Sequence, residues 1–272
     1  MAAGSFSSRP NSREPKFENG GIAALVPKNN VLSTKQNMHQ TRRYWLLIIF
    51  IISSVHVSAQ TVREYTGWFA WSNSYRFSEH WGLHFDAQVR SADDWDNVRT
   101  TIFRPGITYF LDARNSATLG YAYITTYNRL TGSTNTMSEN RLWEQYVNNT
   151  KFGQVSLQNR FRLEQRFIER PTGNQFAQRL RYFVRTIIPL SKQKSSFNKG
   201  FFAAIQNEIF LNVQNKDKIN GSFFDQNRIY SAIGYRFNPK VDLEAGYMYQ
   251  YVNGMNINDS NNIIQMALYT RF

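Results

Sequence analysis

Residues 241–251 read VDLEAGYMYQY, and their side chains alternate strictly between two kinds. The odd positions carry Val, Leu, Ala and three Tyr, whereas the even positions carry Asp, Glu, Gly, Met and Gln. Successive side chains of a β-strand point to opposite faces, so one face of this segment is apolar and aromatic while the other is largely polar. The pattern predicts a strand that separates an apolar phase from a polar one.

The same alternation continues on both sides of this segment. Residues 225–237 precede it, and Asn238-Pro239-Lys240 forms a tight turn between the two strands. Further alternating stretches lie at 81–90, 159–167 and 176–188. Backbone polar groups cannot remain unpaired in hydrocarbon, so amphipathic strands that cross a membrane must close into a barrel. We therefore predict an all-β fold, a transmembrane antiparallel up-and-down β-barrel.

The pattern marks the individual strands and the connections between them. The predicted strands are 66–77, 82–91, 98–110, 116–128, 140–150, 154–168, 175–189, 200–213, 223–237, 241–252 and 261–272. A count of eleven conflicts with the usual pattern, because bacterial single-chain barrels have an even number of strands and both termini in the periplasm. We therefore expect about twelve strands, with ten as the second choice. The longer connections near 129–139, 214–222 and 253–260 are expected outside the cell, and the short turns at 111–115 and 238–240 in the periplasm.

The N-terminal region has the features of a secretory signal. Thr41-Arg42-Arg43 precedes a short apolar stretch, and Val57-Ser58-Ala59 provides a small-x-small cleavage site. The alternative is a membrane anchor, but polar residues interrupt the apolar stretch, which is shorter than the ~20 residues of a membrane-spanning helix. We expect residues 1–37 to be a disordered leader or a mis-assigned start, 38–59 a signal peptide cleaved after Ala59, and 60–272 the barrel.

The composition limits the classes of function. The chain has no Cys and a net charge of +13, of which +8 remains in residues 60–272. The basic residues are spread along the chain without a basic run, so nucleic-acid binding is not expected. Aromatic residues make up 15% of the chain, a content that suits the aromatic girdles of a membrane barrel. The chain also ends in Phe272 on an alternating strand, which resembles the signal that the outer-membrane barrel assembly machinery recognises.

Several segments resemble an uncharacterised family of bacterial outer-membrane proteins, the domain of unknown function numbered 2490. The similar segments are FRPGITY (103–109), LGYAY (119–123), RLWEQ (141–145), NRFRLEQRF (159–167), RLRY (179–182), NEIFLN (207–212), FDQNR (224–228) and GYM (246–248). The resemblance implies a barrel in the outer membrane of Gram-negative bacteria. It implies no activity and no residue roles, because the family has none assigned.

The polar face of the predicted strands is rich in arginine and is expected to line the lumen. The candidate lumen-lining residues are Arg160, Arg162, Glu164, Arg166, Arg179, Arg181, Arg185, Glu208, Arg228, Arg236, Asp242 and Glu244. Two hypotheses remain open. Either these side chains pair across strands and fill the interior, or excess arginine lines a water-filled passage for small anionic solutes.

Enzymatic chemistry has little support in the sequence. His80 and His84 are the histidines of residues 60–272, and Ser78 precedes His80 by two positions, an ordinary proximity in a turn. Asp93, Asp94 and Asp96 surround Trp95 in a predicted loop, where acidic residues are usually solvated. We predict no catalytic residues, metal or cofactor. The expected function is a small arginine-lined channel or a structural envelope protein, in contact with outer-membrane lipid, and the alternative is a lipid- or glycan-modifying enzyme.

Overall fold

A computed structural model of the chain describes residues 61–130, 133–171, 173–191 and 196–272. The predicted leader and signal peptide lie outside the described residues. The described chain is almost entirely β-structure, with two single-turn 3-10 helices at Asp93–Trp95 and Lys216–Lys218. The strands are β1 (Thr61–Arg76), β2 (Trp81–Ser91), β3 (Val98–Phe110), β4 (Asn115–Leu130), β5 (Ser133–Phe152), β6 (Val155–Ile168), β7 (Gln175–Pro189), β8 (Gly200–Gln214), β9 (Phe224–Asn238), β10 (Val241–Val252) and β11 (Asn258–Arg271).

These strands form one closed barrel, which confirms the predicted all-β barrel fold. Each strand pairs antiparallel with the next along the chain, and β1 pairs with β11 to complete the ring. The closing pair is parallel, running in register from Thr61 opposite Asn258 to Ser74 opposite Arg271. No helix in the described part of the chain is long and apolar enough to cross a membrane.

The strand number differs from the expected one. The described residues form eleven strands, the number that the alternation gives directly, rather than about twelve. The even-count argument assumes that the first and last strands pair antiparallel. Here β1 and β11 run in the same direction, and a parallel ladder closes an odd-numbered ring.

An odd number of strands places the start of β1 and the end of β11 on opposite rims. We call the rim where β1 begins the N-terminal rim; it also carries the connections 92–97, 169–174, 215–223 and 253–257. The C-terminal rim carries Phe272 and the connections 77–80, 111–114, 153–154, 190–199 and 239–240. The expected outer connections thus share the N-terminal rim, and the expected periplasmic turns share the C-terminal rim.

The predicted connection 129–139 differs from the structure, and the connection 190–199, which has the predicted bounds, is the longest on its rim. The predicted connection 129–139 is largely strand, because β4 extends to Leu130 and β5 begins at Ser133. The connection 190–199 is long, although it lies on the C-terminal rim with the short turns. Its Phe197 is buried and packs edge-on against Phe202 inside the barrel, so this part of the connection folds inward.

The β3–β4 turn shows how the short connections are stabilised. The Asp112 carboxylate accepts hydrogen bonds from the side-chain amide of Asn115 and from the backbone N–H groups of Arg114 and Asn115. These hydrogen bonds, that of the Asn115 side chain first, lower the pKa of Asp112 from its ordinary value. A side chain that accepts from the backbone two residues on is a common way of closing a turn.

The described residues form two apolar clusters inside the barrel, each on its own part of the wall. The larger one lies on β1 and β8–β11 with the inward-folded connection, and consists of Trp68, Phe197, Phe202, Ala204, Tyr230, Ala232, Met248 and Ile263. The smaller one consists of Ile102, Ala122, Ile124 and Trp143 on β3–β5. Trp143 is fully buried because Gly106 and Gly120 leave room for its ring; a Cβ at Gly120 would come within 2.2 Å of it.

Candidate functional site: the arginine-rich interior

The structure places all twelve predicted lumen residues on the inner wall of the barrel. Eight of them are buried, and Arg160, Arg166, Arg228 and Arg236 are partly buried. They lie on five neighbouring strands, β6–β10. The period-two alternation of these strands puts each of the twelve positions on the inner face. Any role in conducting or binding a solute remains a prediction.

Glu164 on β6 forms the centre of the largest ion-pair network. Its Oε1 accepts a hydrogen bond from Arg181 Nη1 at 2.5 Å, and its Oε2 accepts from Arg179 Nη2 at 2.8 Å. A third guanidinium, that of Arg141, approaches Oε2 at 3.4 Å. The carboxylate is 1% exposed, so these arginines replace the water that its charge has lost.

Glu208 on β8 extends the network around the ring. Its Oε1 accepts hydrogen bonds from Arg181 Nη2 at 2.7 Å and from Arg160 Nη2 at 2.6 Å. Arg181 therefore joins the carboxylates of β6 and β8, and Arg179 joins Glu164 to Asp225 on β9. The arginines share acceptors through fixed, branched geometry, which their planar guanidinium groups favour.

Some of these pairs connect strands that are not neighbours in the sheet. One strand lies between the partners in two of these pairs, Arg160 (β6) with Glu208 (β8) and Arg179 (β7) with Asp225 (β9). Two strands lie between Arg185 on β7 and Glu244 on β10. Side chains that meet across intervening strands must pass through the space that the wall encloses. The charged groups thus fill part of the interior instead of lying along its wall.

Further ion pairs lie nearer the two rims. Glu139 accepts from Arg141 and Arg166 on the side of the N-terminal rim, and Asp242 accepts from Arg236 and Arg271 on the side of the C-terminal rim. The sequence analysis placed Glu139 in a loop and so missed it. It also missed Arg104 and Asp86, an inward pair whose nitrogen and oxygen are 2.7 Å apart, although Arg104 alternates with outward-facing Phe103.

Three inward-facing arginines have no carboxylate partner in the described part of the chain. Arg90 and Arg228 lie over the ring of Trp68, with guanidinium carbons 3.7 Å and 5.1 Å from its centroid, and Arg162 lies 4.4 Å over Trp143. Arg162 also donates twice to Gln145 Oε1, and Arg90 to Gln88 Oε1. Aromatic faces and amides stabilise these cations but leave their charge uncompensated.

A cavity of about 930 Å³ runs inward from the C-terminal rim. Its outer part is lined by rim residues such as Arg114, Lys151 and Arg271, and its inner part by His84, Arg104, Arg160 and Arg228 together with Asp86 and Glu208. His84 stands edge-on against Trp143, with ring centroids 5.7 Å apart. Since the inner lining carries more guanidinium groups than carboxylates, the cavity suits anions.

The candidate catalytic and metal-binding residues are not arranged for those roles. Ser78 Oγ accepts the backbone N–H of Trp81, while the Nδ1 of His80 lies 3.2 Å from the carbonyl oxygen of Phe110. His84 is separated from both on the inner wall. Asp93 accepts the backbone N–H of Tyr65, and among the described residues no group of three His, Cys, Asp or Glu side chains is placed to hold a metal ion.

The fold and the interior together define a class of protein: a closed β-barrel with an apolar outer face and an ion-paired inner one. The family model "Protein of unknown function (DUF2490)" matches residues 66–261, and the chain belongs to that family. The match confirms the family that the sequence segments indicated. No curated protein and no solved structure matches the chain.

Proposed function

We propose that the chain is an outer-membrane β-barrel whose interior is closed by ion pairs, and that it serves the bacterial envelope as a structural barrel rather than as an open pore. The observation that carries this proposal is the set of ion pairs between non-neighbouring strands, of which Arg185 to Glu244 is the widest. A water-filled passage needs free space along its axis, and here charged side chains occupy part of that space.

The outer face of the barrel supports the membrane location. Large apolar side chains project from the middle of the strands, among them Ile107 and Ile233, each 55% exposed. Aromatic side chains project near both rims, such as Trp81 and Tyr109 at one and Tyr65 and Tyr249 at the other. A monomeric soluble protein rarely exposes contiguous apolar patches larger than a few hundred Å², whereas hydrocarbon covers such a surface at no cost.

The C-terminal strand supports delivery by the barrel assembly machinery. Phe272 is 54% exposed, and its backbone N–H donates to the carbonyl oxygen of Ser74. Its position continues the alternation that turns Ile264, Met266 and Leu268 outward. Export by a cleaved signal peptide ending at Ala59 is part of the same proposal.

Planar-bilayer recording on refolded residues 60–272 tests the closed interior. We expect a folded, heat-modifiable protein that gives no stepwise conductance. The second candidate, a passage for small anions, is favoured by the arginines that lack carboxylate partners and by the cavity at the C-terminal rim. Stepwise conductance with anion preference, reduced by Arg181→Ala, would replace the structural proposal with this one.

Tag accessibility tests the orientation. Because β1 and β11 run in the same direction, a membrane-spanning barrel must place residue 61 and Phe272 on opposite sides. If the short turns are periplasmic, a protease-cleavable tag before residue 61 is cut on intact cells and a tag after Phe272 is cut only after the outer membrane is opened. Cleavage of both tags from the same side would contradict the eleven-stranded closure.

The lipid- or glycan-modifying enzyme has no nucleophile–base contact in the described residues to support it. Replacing His80 and His84 separates the two classes, because an enzyme that uses either histidine loses activity, whereas a structural barrel keeps its fold and its heat-modifiability.

A further inference from the structure

The two rims of the barrel differ in charge. Among the described residues, the connections and strand ends of the C-terminal rim expose mostly basic side chains. The basic ones are Arg76, Arg114, Lys151, Lys199 and Lys240, here called the basic collar, and the acidic ones are Glu79 and Asp112. At the N-terminal rim the exposed charges nearly balance: the basic residues are Arg63, Arg170, Lys216 and Lys218, and the acidic ones are Asp94, Asp96, Glu169, Asp217 and Asp259. The excess positive charge is therefore a property of one rim.

The basic collar surrounds the opening of the cavity. Its residues belong to β1, the β3–β4 turn, β5, the connection before β8 and the β9–β10 turn, so they are distributed around the ring. Arg114 and Lys151 line the mouth of the cavity itself. The backbone N–H of Asn149 donates to the carbonyl oxygen of Arg114 at 2.8 Å, which keeps this turn beside the end of β5. A molecule that approaches the opening therefore meets positive charge on several sides.

Little within the described chain compensates this charge. The ion pairs of the described residues include none of Arg114, Lys151 and Lys240. Lys240 instead lies over a neutral ring, with its Nζ 5.7 Å from the centroid of Phe272. The Asp112 carboxylate already accepts three hydrogen bonds within its own turn. A surface of this kind attracts negatively charged molecules and speeds their association.

We infer that the basic collar is a docking surface for an acidic polypeptide segment of another protein, which lies across the opening of the cavity. Lipid head groups lie outside the wall, whereas Arg114 and Lys151 line the space inside it. Only an extended ligand can contact basic residues at several points of the ring. The same lining includes the apolar Ala113, Ile187 and Pro239, which suit the mixed side chains of a peptide better than a uniformly polar glycan. With the short turns in the periplasm, the partner is a periplasmic protein.

Binding of a labelled peptide of three Glu-Glu-Gly-Leu repeats tests the collar. The protein is extracted in an uncharged detergent from membranes of cells that express the full chain, and binding is followed by fluorescence anisotropy. We expect saturable binding that is lost when the glutamates of the peptide are replaced by glutamine. The triple variant Arg114→Gln/Lys151→Gln/Lys240→Gln should weaken binding by about tenfold, because each exposed ion pair contributes roughly twofold in affinity.

The matched control is the triple variant Arg63→Gln/Arg170→Gln/Lys216→Gln. It removes the same net charge from exposed positions of the N-terminal rim and should change the affinity by less than about twofold, because salt screens distant charges. Equal weakening in the two triple variants overturns the inference, as does the absence of saturable binding to the wild-type protein. If the collar triple variant does not give a heat-modifiable barrel, Lys151→Glu replaces it and should weaken binding by about fourfold.

Other occupants of the collar are outcomes of the same measurement. Polygalacturonate that binds more tightly per carboxylate than the peptide would assign the collar to an acidic glycan and overturn the choice of a polypeptide. Displacement of the peptide by an equimolar amount of phosphatidylglycerol in the micelle would assign it to lipid and overturn that choice as well. The inference is independent of the closed interior: conductance in the bilayer with peptide binding intact contradicts only the structural barrel, and a lack of peptide binding without conductance contradicts only the collar.

Discussion

The interior of this barrel is filled in two different ways. The apolar cluster on β1 and β8–β11 packs Tyr230, Met248 and Ile263 as a soluble protein packs its core, whereas the network centred on Glu164 fills the space beside β5–β9 with ion pairs. When a substitution removes side-chain volume from an apolar core, the free energy of unfolding falls in proportion to the size of the cavity that is left. An ion-pair network depends on every member, because each remaining charge becomes unpaired when one partner is lost. The two parts should therefore respond differently to substitution.

The largest expected effect is in the ion-pair network. Glu164→Gln removes the charge that compensates Arg179, Arg181 and Arg141 while leaving the volume unchanged, and should destabilise the barrel by about 3–5 kcal/mol. Unfolding in urea from detergent micelles measures the change. The matched control is Glu144→Gln on β5, an outward-facing, exposed carboxylate whose contact in the structure is a neutral amide, Gln165. Equal losses in the two variants would show that the network does not stabilise the interior.

The next effect is in the apolar cluster. Ile263 is fully buried, and Ile263→Ala should leave a cavity and cost about 2–4 kcal/mol in the same unfolding assay. Its neighbour Ile264 points outward and is 52% exposed, so Ile264→Ala should change the free energy of unfolding in detergent by well under half as much. If the two variants were equally unstable, the assigned inward and outward faces of β11 would be incorrect.

A smaller effect is expected when an ion pair is replaced as a whole. The double variant Arg185→Met/Glu244→Leu exchanges a buried pair for apolar side chains, and its stability should lie within about 2 kcal/mol of the wild type. Glu244→Leu alone should be less stable than the double variant, because it leaves Arg185 buried and unpaired. A double variant less stable than both single variants would show that this pair contributes net stability instead of only requiring its partner.

The smallest effect is expected at the N-terminal rim. Arg99 and Glu64 form an ion pair at 2.6 Å, but their side chains are 34% and 22% exposed. Arg99→Gln should cost no more than about 1 kcal/mol, since water and salt screen an exposed pair. Raising the salt concentration should remove most of that difference. A loss as large as that of Glu164→Gln would mean that burial does not set the strength of these pairs.

Alternation alone was sufficient to assign the strands and their two faces. Residues 241–251 and 159–167 show why: a period of two allows only one assignment of faces once the apolar set is known. Strand ends were less certain, as in β5, where polar residues 133–139 look like a loop but extend the hairpin with β4. Where a strand ends depends on how far the adjacent strand continues to pair with it. The alternation within one segment contains no information about that pairing.

The sequence by itself determined the barrel class and the family, because both depend on local alternation or on short similar segments. Tertiary structure decided the parallel closure between β1 and β11, the partner of each arginine and the position of Arg162 over Trp143 without a carboxylate. These features join residues far apart in the chain across a closed ring. Their geometry depends on how many strands complete that ring and on how side chains from opposite walls meet inside it.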